Sequence, residues 1–177
     1  DLPSAGPGTY IDWHQLGDSE DTRRRGYFGL HHPLDAQEST YPPRFDPPVI
    51  VAGEPLPLPP ASLRGGYAPD DDAMYLRWGK FDHDFILNIA GRYLDLQRPL
   101  RILDFGCSAG RVLRHFELER QSAGWRIHGV DPQAMLIEWL RSFWPSAYDV
   151  STTNVVVPVV PFEDNYFDVI YGISVFT

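Results

Sequence analysis

Arg101-Ile102-Leu103-Asp104-Phe105-Gly106-Cys107-Ser108-Ala109-Gly110-Arg111-Val112-Leu113 reads as strand, tight turn and helix. Ile102, Leu103 and Phe105 make a short apolar run. Gly106 and Gly110 bracket a turn of small side chains, and Val112, Leu113 and Phe116 return at helical spacing, which predicts a helix from about Gly110 to Glu119. A turn of this kind brings bare backbone against a ligand. Gly106 removes the Cβ that would block close approach, and the helix N-terminus behind it offers unpaired N–H groups. Asp104 stands at the carboxyl end of a buried strand, where a carboxylate needs partners. The turn amides or a cationic ligand group would both serve, and both are expected here.

The frame Asp104-x-Gly106-x-Ser108-x-Gly110 resembles the first motif of the class I S-adenosylmethionine-dependent methyltransferases, in particular the bacterial type 11/25-like domains. That motif has an acid and then Gly-x-Gly-x-Gly at the end of the first strand, and Ser108 stands where the family has its middle glycine. Any doubly wound α/β protein also carries a small-residue turn after its first strand. Two further segments extend the resemblance to about Tyr75–Thr177. Tyr75 to Gly79 has the form Tyr-x-x-x-Gly, which in several such families covers the methionine end of the cofactor; a tolerated or helix-breaking glycine is the equal alternative. Pro161-Phe162, the acidic turn Glu163-Asp164 and Phe167-Asp168-Val169-Ile170-Tyr171 resemble the family's approach to its fourth strand. Glu163 and Asp164 are most simply turn residues.

The second strand is predicted at Arg126-Ile127-His128-Gly129-Val130, ending on Asp131. An acid about 20 residues beyond the turn is where a doubly wound fold places a carboxylate on a ribose diol. Asp131 could equally cap the following helix, for which Pro132 supplies the first turn and Met135, Leu136, Trp139, Leu140 and Phe143 the buried face. The resemblance implies S-adenosylmethionine as cofactor. It implies a cofactor site of Asp104, Gly106, Cys107, Ser108, Gly110, Asp131, Pro132, Asn154, Gly172 and Ser174, with Tyr75 and Gly79 above it and Asn154 beside the adenine. No catalytic residue and no metal ligand is named.

Upstream, 12 of the 17 prolines lie between Asp1 and Pro69. Pro42-Pro43, Pro47-Pro48 and Pro59-Pro60 forbid long helices there, so residues 1–69 read as a proline-rich arm. Trp13, Tyr27, Phe28, Leu30, Tyr41, Phe45 and Val49-Ile50-Val51 make it too apolar for a plain linker. It is expected to lie on the main domain or on a partner, a second copy of the chain included. Residues 70–177 read as the N-terminal part of a methyltransferase domain. Asp70-Asp71-Asp72 predict an N-cap and an acidic first turn, and Tyr75, Trp78, Phe85, Ile86, Ile89 and Tyr93 predict a helix with one face in the core, interrupted at Gly79.

The expected fold is therefore α/β, a Rossmann-like doubly wound, mostly parallel sheet that stops after its fourth strand. The missing part would hold most of the acceptor pocket, so the 177 residues alone are expected to be inactive. Composition narrows the partners. The net charge of −9 and the sole basic run, Arg23-Arg24-Arg25, flanked by Asp18, Glu20 and Asp21, argue against nucleic acid. No run approaches the about 18 apolar residues of a membrane span. A single cysteine, Cys107, allows no intrachain disulfide and fits a reducing, cytoplasmic setting, and Asp1-Leu2-Pro3-Ser4 shows neither a basic nor an apolar leader pattern. His31-His32 has no ligand partners at metal spacing. A small-molecule acceptor, a sugar or natural-product intermediate, is expected, roofed by arm residues such as Tyr10, His14 and Tyr27.

Two alternatives share the strand, turn, helix and distant acid. A nicotinamide-dependent dehydrogenase would want Gly-x-Gly-x-x-Gly, yet the second and third positions are Ser108 and Arg111, and Asp104 would repel a pyrophosphate. A non-catalytic binding module could retain the fold without the chemistry.

Overall fold

The β-forming run at Arg101 becomes the centre of a sheet because both of its faces are covered. A computed structural model of the chain describes residues 45–153, 160 and 162–175. In it β1 (Arg101–Phe105) buries Ile102, Leu103 and Asp104 in succession, the pattern of a central parallel strand rather than of alternating exposure. It pairs in parallel with β2 (Arg126–Asp131), Arg101 opposite Arg126 and Phe105 opposite Val130. On its other side runs β4 (Val169–Tyr171), Ile102 opposite Val169 and Asp104 opposite Tyr171. β3 (Tyr148–Thr152) lies outside β2, giving the parallel order β3-β2-β1-β4. The chain thus moves outward from β1 and then returns to its opposite side. That reversal leaves a crevice beyond the carboxyl ends of β1 and β4.

The helix α1 (Asp72–Ala90) starts as its sequence dictates. Asp71 is the N-cap, accepting from the Met74 amide at 2.8 Å, and Asp72 adds first-turn negative charge and pairs with Arg64. Its orientation corrects the expectation. The buried stripe is Tyr75, Gly79, His83, Ile86 and Ala90, and Trp78, Phe81, Phe85 and Ile89 face outward, with Tyr93 exposed beyond the helix. Gly79 does not interrupt the helix: a Cβ there would lie 2.2 Å from the Arg111 carbonyl oxygen, so the missing side chain sets how closely α1 approaches the turn.

The segment after the glycine turn also departs from expectation. In place of one helix to Glu119, a run of turns leads into a 3-10 helix (Leu113–Phe116) and then the short α2 (Glu117–Ser122). α3 (Ala134–Phe143) is N-capped at Gln133, so Pro132 stands one residue before the cap. It buries Leu136, Ile137, Trp139 and Leu140, whereas Met135 is exposed. β4 is shorter than the apolar run suggests, and Ile170 is exposed. Asp168 anchors the strand's start by accepting from the Arg101 amide at 2.8 Å and from Arg98 at 2.7 Å. Glu163 and Asp164 do form a turn, with Asn165 at positive φ.

The core joins β1, β2, α3 and the 3-10 helix. Phe116 is fully buried and stacks on Trp125 at 6.0 Å, and Trp144 meets Tyr148 edge-on at 5.0 Å. Residues 45–69 form a strap over this core. Val49 and Leu58 make an isolated antiparallel bridge, and Leu56 and Leu58 are buried. Arg114 reaches out of the core to donate to the Leu56 and Pro57 carbonyls and to Glu54. The Trp144 indole N–H also donates to the Pro57 carbonyl, at 3.3 Å. Among the described residues no helix is long and apolar enough to cross a membrane. Arg23-Arg24-Arg25, His31-His32, Tyr10, His14, Tyr27 and Asn154 lie outside the described residues.

Candidate functional site

The turn after β1 is held in shape by alternating backbone conformations. Gly106, Ser108 and Gly110 have φ of 83°, 51° and 81°. Ser108 therefore adopts the left-handed region that an L side chain disfavours, which explains physically why a glycine suits that position. The two glycines are packed by protein. A Cβ on Gly106 would meet Val175 at 2.4 Å, and one on Gly110 would meet the Trp144 ring at 2.3 Å.

Four of the turn's amides are already committed. Gly106 and Cys107 both donate to the Val130 carbonyl, at 2.8 and 3.0 Å, and Gly110 donates to the Cys107 carbonyl at 2.9 Å. Ser108 donates to Asp131 Oδ2 at 2.8 Å. This stitching fixes the ends of β1 and β2 together.

Asp131 is buried at the end of β2, and its two oxygens divide their work. Oδ2 takes the Ser108 amide and Oδ1 the Gln133 amide, both at 2.8 Å. Burial raises its pKa, and the two amides oppose that shift. Each oxygen keeps a second lone pair for another donor. Asp104 corrects the expectation, because among the described residues no turn amide donates to it. It is 2% exposed, and burial pushes its pKa up to about 7. The Tyr171 hydroxyl lies near enough to favour its ionised form, yet it makes no hydrogen bond of ordinary length and angle. Asp104 is a buried acid whose charge is opposed by burial and favoured by the neighbouring Arg111.

A cleft of about 280 Å³ opens between the end of β4 and α1, lined by Tyr67, Trp78, Phe81, Asp82, Arg111, Ile173 and Ser174, with neither Asp104 nor Asp131 in its lining. Ser174 stands on it at positive φ, just beyond Gly172. Tyr75 and Gly79 do not line it: Tyr75 is 1% exposed beneath the Arg64 guanidinium, and Gly79 faces the Arg111 backbone. Cys107 is buried with its thiol pKa raised by burial and by the neighbouring acids, which leaves it unreactive. No group of three or more metal-ligating side chains occurs among the described residues.

Arg111 was legible in the sequence only as an obstacle to a dinucleotide turn. In the fold it is buried, paired with Asp82 at 2.7 Å and laid over the Tyr67 ring at 4.1 Å. Asp82 lies on α1 and Tyr67 at the end of the strap, so no local pattern could have joined the three.

A family model described as a methyltransferase domain matches residues 77–177. No curated protein matches the chain. Among solved structures, it is similar to a chain of the complex that contains the Haloferax volcanii Trm112 methyltransferase activator, at 16% sequence identity and a TM-score of 0.39. That likeness covers 57% of this chain and 43% of that one, so the chain spans less than half the length of this structural relative.

Proposed function

The chain belongs to the methyltransferase-domain family, and from that premise we propose that it binds S-adenosylmethionine across the ends of β1, β2 and β4 and takes part in methyl transfer to a small molecule. One observation carries the reading of the ligand: two acids, Asp104 and Asp131, sit at the ends of adjacent strands. A pyrophosphate would meet two acids there. A ligand with a cationic end and a ribose meets what it needs.

In this reading Asp131 accepts the ribose hydroxyls on the lone pairs its two amides leave open, and Asp104 faces the ammonium. Gly106, Cys107, Ser108, Gly110, Pro132, Gly172 and Ser174 form the walls. The donor supplies a methyl group already activated on a sulfonium. What remains for the protein is alignment of the acceptor and exclusion of water, to which Trp78 and Phe81 at the cleft contribute. The net charge of −9 supports a small neutral or cationic acceptor over nucleic acid. Residues 1–69 serve in this reading as an arm over residues 70–177, or between two copies of the chain.

Calorimetry with S-adenosylhomocysteine and with a nicotinamide dinucleotide tests the proposal. Binding of the first and not the second is expected. Asp131→Ala should weaken it by about 1–3 kcal/mol through the lost ribose bonds. Tight dinucleotide binding with no response to S-adenosylhomocysteine would overturn the reading.

A further inference from the structure

β3 ends the sheet on its side, in the order β3-β2-β1-β4, so one row of its backbone groups has no strand to pair with among the described residues. The register identifies those groups. The Thr153 amide donates to the Asp131 carbonyl at 3.1 Å, so Asp149, Ser151 and Thr153 turn their N–H and C=O toward β2. Tyr148, Val150 and Thr152 turn theirs outward, and an edge of this kind is a template for another strand.

The centre of that edge is closed by a side chain. Arg141, in the last turn of α3, donates to the Val150 carbonyl from Nε at 3.1 Å and from Nη2 at 2.9 Å. A carbonyl oxygen has two lone pairs, and both are then taken. Nη1 donates to Glu138 at 2.9 Å, so all three guanidinium nitrogens are held. The Tyr148 amide is occupied as well, donating to the Pro145 carbonyl at 3.1 Å. A space of about 470 Å³ lies along this edge, with Leu140, Trp144, Tyr148 and Val150 in its lining and Arg141 as its one cation.

The strand that fits this edge is its own copy. A two-fold axis at Val150 sets Tyr148 of one copy opposite Thr152 of the other and Asp149 opposite Ser151, so no like charges face each other. The two Val150 residues would then exchange N–H···O bonds, which needs the oxygen that Arg141 covers. Independently of the methyl-donor reading, we propose that Arg141 is a guard that closes the β3 edge against antiparallel pairing with a second copy of this chain, with Glu138 holding the guard in place.

Sedimentation velocity of the full 177-residue chain over a range of concentrations tests it. Arg141→Ala should strengthen self-association about 10-fold or more by freeing the two exchanged hydrogen bonds. Arg141→Lys should fall between, because its donors meet at one point and cover the oxygen less completely. Two second-site changes in the Arg141→Ala chain should each return it to native behaviour. Thr152→Pro removes an outward amide at an exposed position without touching the ladder to β2, and Ser151→Asp sets two carboxylates against each other across the axis. Thermal melting shows which variants are folded. A folded Arg141→Ala chain that associates no more than the native one overturns the proposal, and so does association that neither second change reverses, which would place it on another surface. An Arg141→Ala chain that stays unassociated while its residues 1–44 gain protection from protease assigns the edge to the chain's own arm and also overturns it.

Discussion

Gly79→Ala sets two opposed effects against each other. In a helix interior alanine is favoured over glycine by about 1 kcal/mol, so an isolated α1 would gain. In the fold the new Cβ would stand 2.2 Å from the Arg111 carbonyl oxygen and 2.8 Å from the His115 ring. A ring can turn aside, but a carbonyl moves only with its backbone. Reaching the 3.0 Å below which real Cβ contacts essentially never fall requires α1 and the turn to part by about 0.8 Å. A gap of that size forfeits a quarter to a half of each dispersion contact along the seam, and overpacking against backbone costs about 3 kcal/mol. The net loss is about 2 kcal/mol, a fall in Tm of about 4–8 °C at this chain length. Thermal and urea unfolding measure it directly. Adding His115→Ala should restore only a minor part, because the ring is not the main obstacle. A Tm equal to or above that of the native chain would refute the close-approach account of Gly79.

Glu117 accepts from Arg120, Gln121 and Tyr148, which lowers its pKa from 4.5 to about 2, the Arg120 bonds being the largest cause. A depressed carboxylate contributes stability that is present above pH 4.5 and lost as pH falls toward 2, so Glu117→Gln should flatten the acid limb of a stability-against-pH curve in that window. Ser108 lies at φ 51°, so Ser108→Gly should be neutral or stabilising within about 1 kcal/mol, whereas the β-branched Ser108→Val should lose at least about 1 kcal/mol in denaturant unfolding. Burial raises the Asp104 pKa to about 7, so its contribution to stability falls as pH rises from 3.8 to about 7. A cationic ligand should therefore release protons near neutral pH, measurable by calorimetry in buffers of different ionisation enthalpy, and Asp104→Asn should abolish that release.

The parts of the fold that were legible in sequence are those whose apolar pattern is short and punctuated. β1 and β2 are marked by apolar runs ending in Asp104-Phe105-Gly106 and Val130-Asp131, and both strands lie where those runs predict. α1 was visible as a helix but its face was misread, because Trp78, Phe85 and Ile89 outweigh Gly79, His83 and Ala90 in any hydropathy count. The buried side is chosen by how closely the backbone can approach the turn, and small residues win there. β3 escaped notice because Tyr148-Asp149-Val150-Ser151-Thr152 buries only alternate residues. Asp131 was legible from its distance to the turn. Its amide bonds to Ser108 and Gln133 were not, since they depend on how two strand ends meet. The expectation that Asp104 takes the turn amides failed for the same reason: the Val130 carbonyl and Asp131 had already claimed them.

The strap at residues 45–69 is recognised through its main chain. A proline-rich backbone offers carbonyl oxygens and few N–H groups, so part of its hydrogen bonding falls to side chains. Arginine is its chemical opposite, all donor and no acceptor. Arg114 reads the carbonyls of Leu56 and Pro57 from the core, and Arg64, itself a strap residue and equally buried, reads those of Pro59 and Ala68. Recognition of this kind is indifferent to side-chain identity along the strap wherever the chain keeps its extended path, so residues such as Pro55 and Pro57 can be exchanged with small effect. The readers have no such latitude. A lysine in place of Arg114 would concentrate its donors at one point and could not span two successive carbonyls.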